Sequence, residues 1–206
     1  MSVGAVAALG TVSLASSHKA AGMFHYVGMY VEGCSCSAPC PCELTGVSMG
    51  CEGVGFFQAK AGSSYMGHSF AGARMAYATS PGKYVVIYID APSAKERQAM
   101  EGFARAALGG FGKIEAVKDA KIAIAGSGGN YMASIDGGNI CTFSSKMMKG
   151  GNNKGPMVYS NIHDPVHPIV MQGTTTSCKF SDGEHKFDLK DSNAYYNPSM
   201  HSNGKI

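Results

Sequence analysis

The stretch KYVVIYIDAPSAKERQAMEGFARAALGG, residues 83–110, decides the fold. Residues 83–90 are apolar on both faces, so they read as a central strand covered on each side. Pro92 is followed by Ser93, with Glu96 three residues on, which is a capping box. Met100, Phe103, Ala104, Ala107 and Leu108 recur at helical spacing and form one apolar face. Gly109-Gly110 ends the helix. The expectation is a helix over 93–108 lying on the sheet that contains residues 83–90.

Working outward, residues 22–31, 54–60, 69–79 and 113–126 read as strands. Residues 130–145 read as a hairpin turning at Asp136-Gly137-Gly138. Residues 174–190 read as another, turning at Ser181-Asp182-Gly183. The segment 146–157 is a Gly- and Lys-rich excursion. Residues 161–171 are an extended loop with two prolines and two histidines, and the polar end NPSMHSNGKI reads as a loose tail. The resulting fold class is α+β, an antiparallel β-rich domain of meander or sandwich type with one covering helix.

The 206 residues suit one domain, taken as 22–206. With 28 glycines, only 15% charged residues and a net charge of +3, the composition favours strands and turns. It offers no basic stripe interleaved with aromatics, so nucleic acid is not expected as a partner. The opening MSVGAVAALGTVSLASS carries no charge and reads as an export signal, similar to mild twin-arginine signals, whose basic region would lie upstream. Residues 1–21 are accordingly expected to be an export signal or an N-terminal membrane anchor, the anchor being residues 1–17. The location that follows is periplasmic, or the extracytoplasmic face of a membrane.

A loop at 33–52 carries the chemistry. Cys34, Cys36, Cys40 and Cys42 fall within nine residues and Cys51 follows. Soft thiolates in C-x-C pairs select copper or zinc over hard cations. The spacing matches neither a ferredoxin pattern nor a zinc ribbon. Disulfides are the competing reading in an oxidising compartment. Cys141 and Cys178 lie in expected strands and can bridge each other, which leaves an odd five in the loop. A redox thiol is a third reading and requires a cysteine with a depressed pKa. Among imidazoles, His25 lies on the strand entering the loop and is a weaker metal ligand. His163 and His167 are weaker still, because Pro165 and Pro168 deny them a helical face; Asp164 is placed to orient one ring. No nucleophile elbow, phosphate loop or paired carboxylates are present, so no catalytic residue is assigned and no small-molecule substrate is evident.

The run YVGMYVEGCSCSAPCPCELTG, continuing through CEGVGFFQAKAG, resembles the opening of a bacterial family. That family is catalogued as domain of unknown function thirteen twenty-six. Its members share a glycine-rich strand, a C-x-C…C-P-C loop and a later cysteine, here Cys34, Cys36, Cys40, Pro41, Cys42 and Cys51. The likeness runs from Tyr26 to about Gly126. It implies a neighbouring metal-handling membrane protein as partner.

These readings converge on an exported, membrane-associated protein that binds a soft metal, copper before zinc, through its cysteine loop, for holding or delivery. The alternative is a disulfide-stapled accessory subunit of a membrane or extracellular complex, without catalysis.

Overall fold

The computed structural model describes residues 22–47 and 50–206. The expected signal or anchor at 1–21 lies outside the described residues. Among the described residues, no helix is long and apolar enough to cross a membrane.

In chain order the first half holds β1 (Met23–Cys34), α1 (Pro41–Thr45), β2 (Gly53–Ala59), β3 (Ser64–Tyr65), β4 (His68–Ser69), β5 (Arg74–Ser80), β6 (Tyr84–Asp90) and α2 (Ala94–Leu108). The second half holds β7 (Lys113–Asp119), β8 (Ile122–Ser127), β9 (Asn130–Ile135), β10 (Cys141–Met147), β11 (Val158–Ser160), β12 (Ile169–Asp182), β13 (His185–Leu189) and β14 (Ser192–Lys205). All the strands join one mixed sheet with the central order β7-β6-β5-β2-β1-β14-β12-β10-β9-β8. Its pairs are antiparallel except β6 with β7. That parallel pair is joined through α2, which carries the chain back across the sheet.

The fold is β-rich, with 55% of the described residues in strands and 13% in helices. It is therefore more β than the expected α+β class with one helix. A second helix, α1, sits inside the cysteine loop. The expected strand at 113–126 is two strands, β7 and β8, that leave in different directions.

Period-2 alternation sends β1 side chains to two cores. Phe24, Tyr26 and Tyr30 face α2, where they meet Phe57, Met75, Ile87, Met100 and Phe103. Val31 faces the other way and joins Phe56, Ala76 and Tyr88 against Ile135, Phe143 and Phe180. The sheet thus curls until its two halves face each other, with Phe56 5.7 Å from Phe143 and Tyr88 6.4 Å from Phe180.

The polar end is not a tail. It forms most of β14, paired with β1 along Met23–Cys34 and with β12. The hidden signal is alternation of small polar residues: Met200 and Ser202 point inward, and Ser202 Oγ donates to Val166 O at 2.5 Å. Pro198 is tolerated because the β1/β14 register slips between Gly28 and Tyr30, and a bulge does not need its missing N–H.

Helix α2 starts where the capping box puts it. Ser93 is the N-cap, and its Oγ accepts from the Lys95 N–H at 3.2 Å. Ser93→Ala is expected to lower stability by about 1 kcal/mol. Urea unfolding checks this, and an unchanged midpoint would show that the cap is dispensable.

Candidate active site

The site grows from one face of β1. Tyr30, Glu32 and Cys34 alternate onto the α2 side, so a carboxyl and a thiol project from one strand beside a phenol. Glu32 opposes Gly55 on β2, and Gly55 opposes Tyr77 on β5. A Cβ on Gly55 would lie 2.3 Å from the Tyr77 ring, so only glycine lets that ring cross toward Glu32. Tyr30 Oη donates to Glu32 Oε2 at 2.5 Å and lies 3.0 Å from Tyr77 Oη. Burial, reinforced by the Glu43 carboxylate, pushes Glu32 well above the ordinary carboxylate range, although His167 opposes the shift. Burial likewise raises Tyr30 and Tyr77.

After Cys34 the chain leaves the sheet. Pro41 begins α1 in the first turn, where its missing N–H is harmless. Gly46 ends α1 in the left-handed region at φ 75°, and its N–H returns to Cys42 O. The imidazole of His163 covers Gly46 so closely that a Cβ there would meet the ring at 2.6 Å. The loop is tied down at both ends. Ser35 N–H donates to Glu52 O at 2.8 Å, and Asn193 N–H donates to Cys36 O at 2.8 Å. Tyr195 Oη donates to Cys40 O at 3.3 Å.

These ties gather all five loop sulfurs. Cys34, Cys36 and Cys40 form one triad, and Cys36, Cys42 and Cys51 form a second; within each, all Sγ atoms lie within 4.8 Å. Cys36 belongs to both. Its Sγ is 3.8 Å from that of Cys42, which is 3.6 Å from that of Cys51. The thiols share their protons unequally. Cys40 accepts hydrogen bonds from the Cys34 and Cys51 thiols and from the Glu43 N–H, which brings it down to about 2. Donation by Cys34 also lowers Cys36. Cys34, which donates to Cys36, Cys40 and Cys51, is pushed up. Cys51 accepts from Cys34 but donates to Cys40 and is partly buried, and the balance is upward.

A second group, Glu43, Asp164 and His167, has its ligand atoms within 4.8 Å of one another. Glu43 follows Cys42 on α1 and binds His167 Nε2. Asp164 Oδ1 accepts from Val166 N at 2.7 Å and His167 N at 3.2 Å, and lies 3.3 Å from His167 Nδ1. The His167 ring stacks on Tyr30, with centroids 4.0 Å apart. Burial pulls its pKa down, but Asp164, Glu43 and Glu32 outweigh that and hold it at about 9. A cavity of about 580 Å³ opens onto these groups, with Cys34, Cys40, Cys42 and Cys51 on one side and Glu32, Glu43 and Asp164 beside them. It continues along α2 past Ala107 and Phe111.

Of the residues singled out in the sequence, the structure brings together Cys34, Cys36, Cys40, Cys42 and Cys51. His25 does not join them. It sits exposed near the other end of β1, nine residues from Cys34, which is about 30 Å along an extended strand. His163 lies exposed at the cavity and His167 is buried with Glu43 rather than with the sulfurs. Cys141 and Cys178 are buried in the second core on the paired strands β10 and β12, where the two thiols stand side by side. Glu32, Glu43, Tyr30, Tyr77 and Asn193 were not assigned from sequence. The one available signal was a carboxyl at period 2 between Tyr30 and Cys34 on an otherwise apolar strand.

No protein-family model matches the chain, and no curated protein matches it significantly. Solved structures do align with it over nearly its whole length. Acetoacetate decarboxylase from Legionella pneumophila is 12% identical, with TM-score 0.44, over 99% of this chain and 98% of that one. The enduracididine biosynthesis enzyme MppR, with HEPES buffer bound, is 13% identical, with TM-score 0.38, over 100% and 98%. MppR complexed with the condensation product of pyruvate and imidazole 4-carboxaldehyde is 12% identical, with TM-score 0.41, over 96% and 97%. At this similarity no residue, substrate or reaction passes from them to this chain. These neighbours are enzymes, and on that finding the expectation of a non-catalytic copper-binding protein is corrected. Its alternative, a disulfide-stapled accessory subunit, falls with it, and the loop cysteines are present as thiols.

Proposed function

We propose that the chain is an enzyme acting on a small polar molecule in the cavity beside the cysteine loop, with zinc or copper held by the loop thiolates as its cofactor. The observation that carries this reading is the spacing of the sulfurs. Four thiolates at 2.3 Å around a tetrahedral ion stand about 3.8 Å apart. The Cys36–Cys42 and Cys42–Cys51 separations are 3.8 and 3.6 Å. A disulfide would bring two sulfurs to about 2 Å. Cys40, lowered to about 2, is poised to ligate without first losing a proton at neutral pH, and Cys36 is shifted in the same direction.

The residues beside the sulfurs divide the remaining work. Glu32, whose carboxyl burial pushes up, is placed to give a proton to a substrate oxygen in the cavity. Tyr30 and Tyr77 keep its carboxyl in one orientation. His167, cationic at neutral pH and paired with Glu43, steadies α1 and hence Cys42. A bound zinc or copper would polarise a substrate carbonyl or thiol group as a Lewis acid.

Reduced protein is loaded with zinc, desalted and alkylated, with metal measured by elemental analysis. The expected result is stoichiometric retained zinc and protection of Cys34, Cys36, Cys40, Cys42 and Cys51 until a chelator is added. Full alkylation of all five in the loaded protein, with no zinc retained, overturns the cofactor. The same result favours a second reading, a metal-free thiol centre with Cys40 as nucleophile, for which the lowered Cys40 is the supporting observation.

A further inference from the structure

Asn193 is fully buried at the start of β14 and opposes Cys34 in the β1/β14 register. Residues directly opposite in an antiparallel pair project to the same face with Cβ atoms about 5 Å apart. The Asn193 side chain therefore lies beside the Cys34 thiol. Its Oδ1 accepts from the Cys40 N–H at 3.1 Å and from Gln172 Nε2 at 2.9 Å. A backbone N–H can only donate, so the atom facing Cys40 is the amide oxygen and the orientation of the amide is settled. Its Nδ2 is then a buried donor with no hydrogen-bond partner among the described residues. The backbone of the same residue donates to Cys36 O at 2.8 Å, and Thr175 Oγ1 donates to its carbonyl at 2.6 Å. One residue thus holds the loop at Cys36 and at Cys40 while its side chain, opposite Cys34, carries an unused N–H.

We propose that Asn193 is the positioning residue of the cysteine centre, clamping the loop through Oδ1 and donating from Nδ2 to a ligating sulfur. A buried donor left unpaired is costly, and a thiolate on the facing Cys34 side of the loop, drawn in when an ion is bound, would satisfy it. Donation to sulfur draws electron density from the ligand and tunes any ion it holds. The inference rests on the loop being the active centre, as proposed above.

The two roles separate in two variants of the full chain. Asn193→Asp keeps the acceptor for Cys40 and removes the donor; Asn193→Ala removes both. Two readouts are taken: the sulfur-to-cobalt charge-transfer band and cobalt affinity after loading with Co(II), and the alkylation rate of Cys40 in the reduced, metal-free protein. The expected result is that both variants bind Co(II) about 10- to 100-fold more weakly with the band at lower energy. Loss of the clamp in Asn193→Ala should speed Cys40 alkylation about tenfold, and Asn193→Asp should restore the parent rate. A cobalt spectrum and affinity in Asn193→Asp equal to the parent overturn the donor role. An unchanged Cys40 rate in Asn193→Ala overturns the clamp. If the parent itself takes up no cobalt, the cofactor reading and the donor role both fail, and the clamp is decided by the alkylation rate alone.

Discussion

Phe103→Ala is expected to lower the unfolding free energy by about 4 kcal/mol, the range for deleting a buried phenylalanine from a close-packed core. Phe103 is fully buried on the inner face of α2. Its ring centroid lies 5.0 Å from Phe70, 5.8 Å from Phe24 and 5.9 Å from Tyr26. Truncation leaves a void that Phe24 and Tyr26 cannot fill without leaving β1, which is paired on both edges. Part of the loss is apolar area returned to water, and part is the cavity itself. The consequence reaches the site. Ala106, Ala107 and Phe111 on and just beyond the same helix line the cavity, so loosening α2 widens the pocket beside the sulfurs. Urea unfolding under reducing conditions measures the loss; a change below about 1 kcal/mol would mean that α2 does not pack as described.

The second large effect is a pH dependence. His167 has its pKa raised from 6.5 to about 9 in the folded protein. A raised pKa means that the folded state holds the proton more tightly than the unfolded chain. The stabilisation is therefore fully present below pH 6.5 and is lost as pH climbs through about 9. The size of the shift corresponds to about 3 kcal/mol. The comparison is between the parent and His167→Gln, in which only this group is missing. At pH 6 the variant should be the less stable by the full amount, since Glu43 and Asp164 lose their cation. The gap should close by about 3 kcal/mol between pH 6 and pH 9.5. Urea unfolding at several pH values would read it, and a gap of constant size across that window would remove His167 from the ion cluster.

Much of the scaffold could be read locally. The strand–cap–helix sequence at 83–110 is visible because apolar periodicity and a capping box act within one segment. The Asp136-Gly137-Gly138 turn is similar: all three residues adopt positive φ, which that composition favours. The tail failed for the opposite reason. Its inward-facing positions are Met200 and Ser202, and a serine satisfied by a distant carbonyl looks like a solvent-exposed one until its partner, Val166, is known.

The site divides the same way. Crowding of Cys34, Cys36, Cys40, Cys42 and Cys51 is written in the chain, because short sequence separation leaves their sulfurs little room to part. His25 shows the limit of that logic, since an extended strand carries nine residues about 30 Å and proximity in sequence becomes distance in space. What only the tertiary structure decided is which groups stand around the sulfurs. Glu32 meets Tyr77 across three strands, His167 meets Glu43 across 124 positions, and Asn193 meets Cys40 across 153. The sequence alone determines a β-rich scaffold carrying a knot of thiols. The acid, the imidazole and the amide that stand around the knot arrive through strand register and loop docking, which depend on contacts between residues that no local pattern relates.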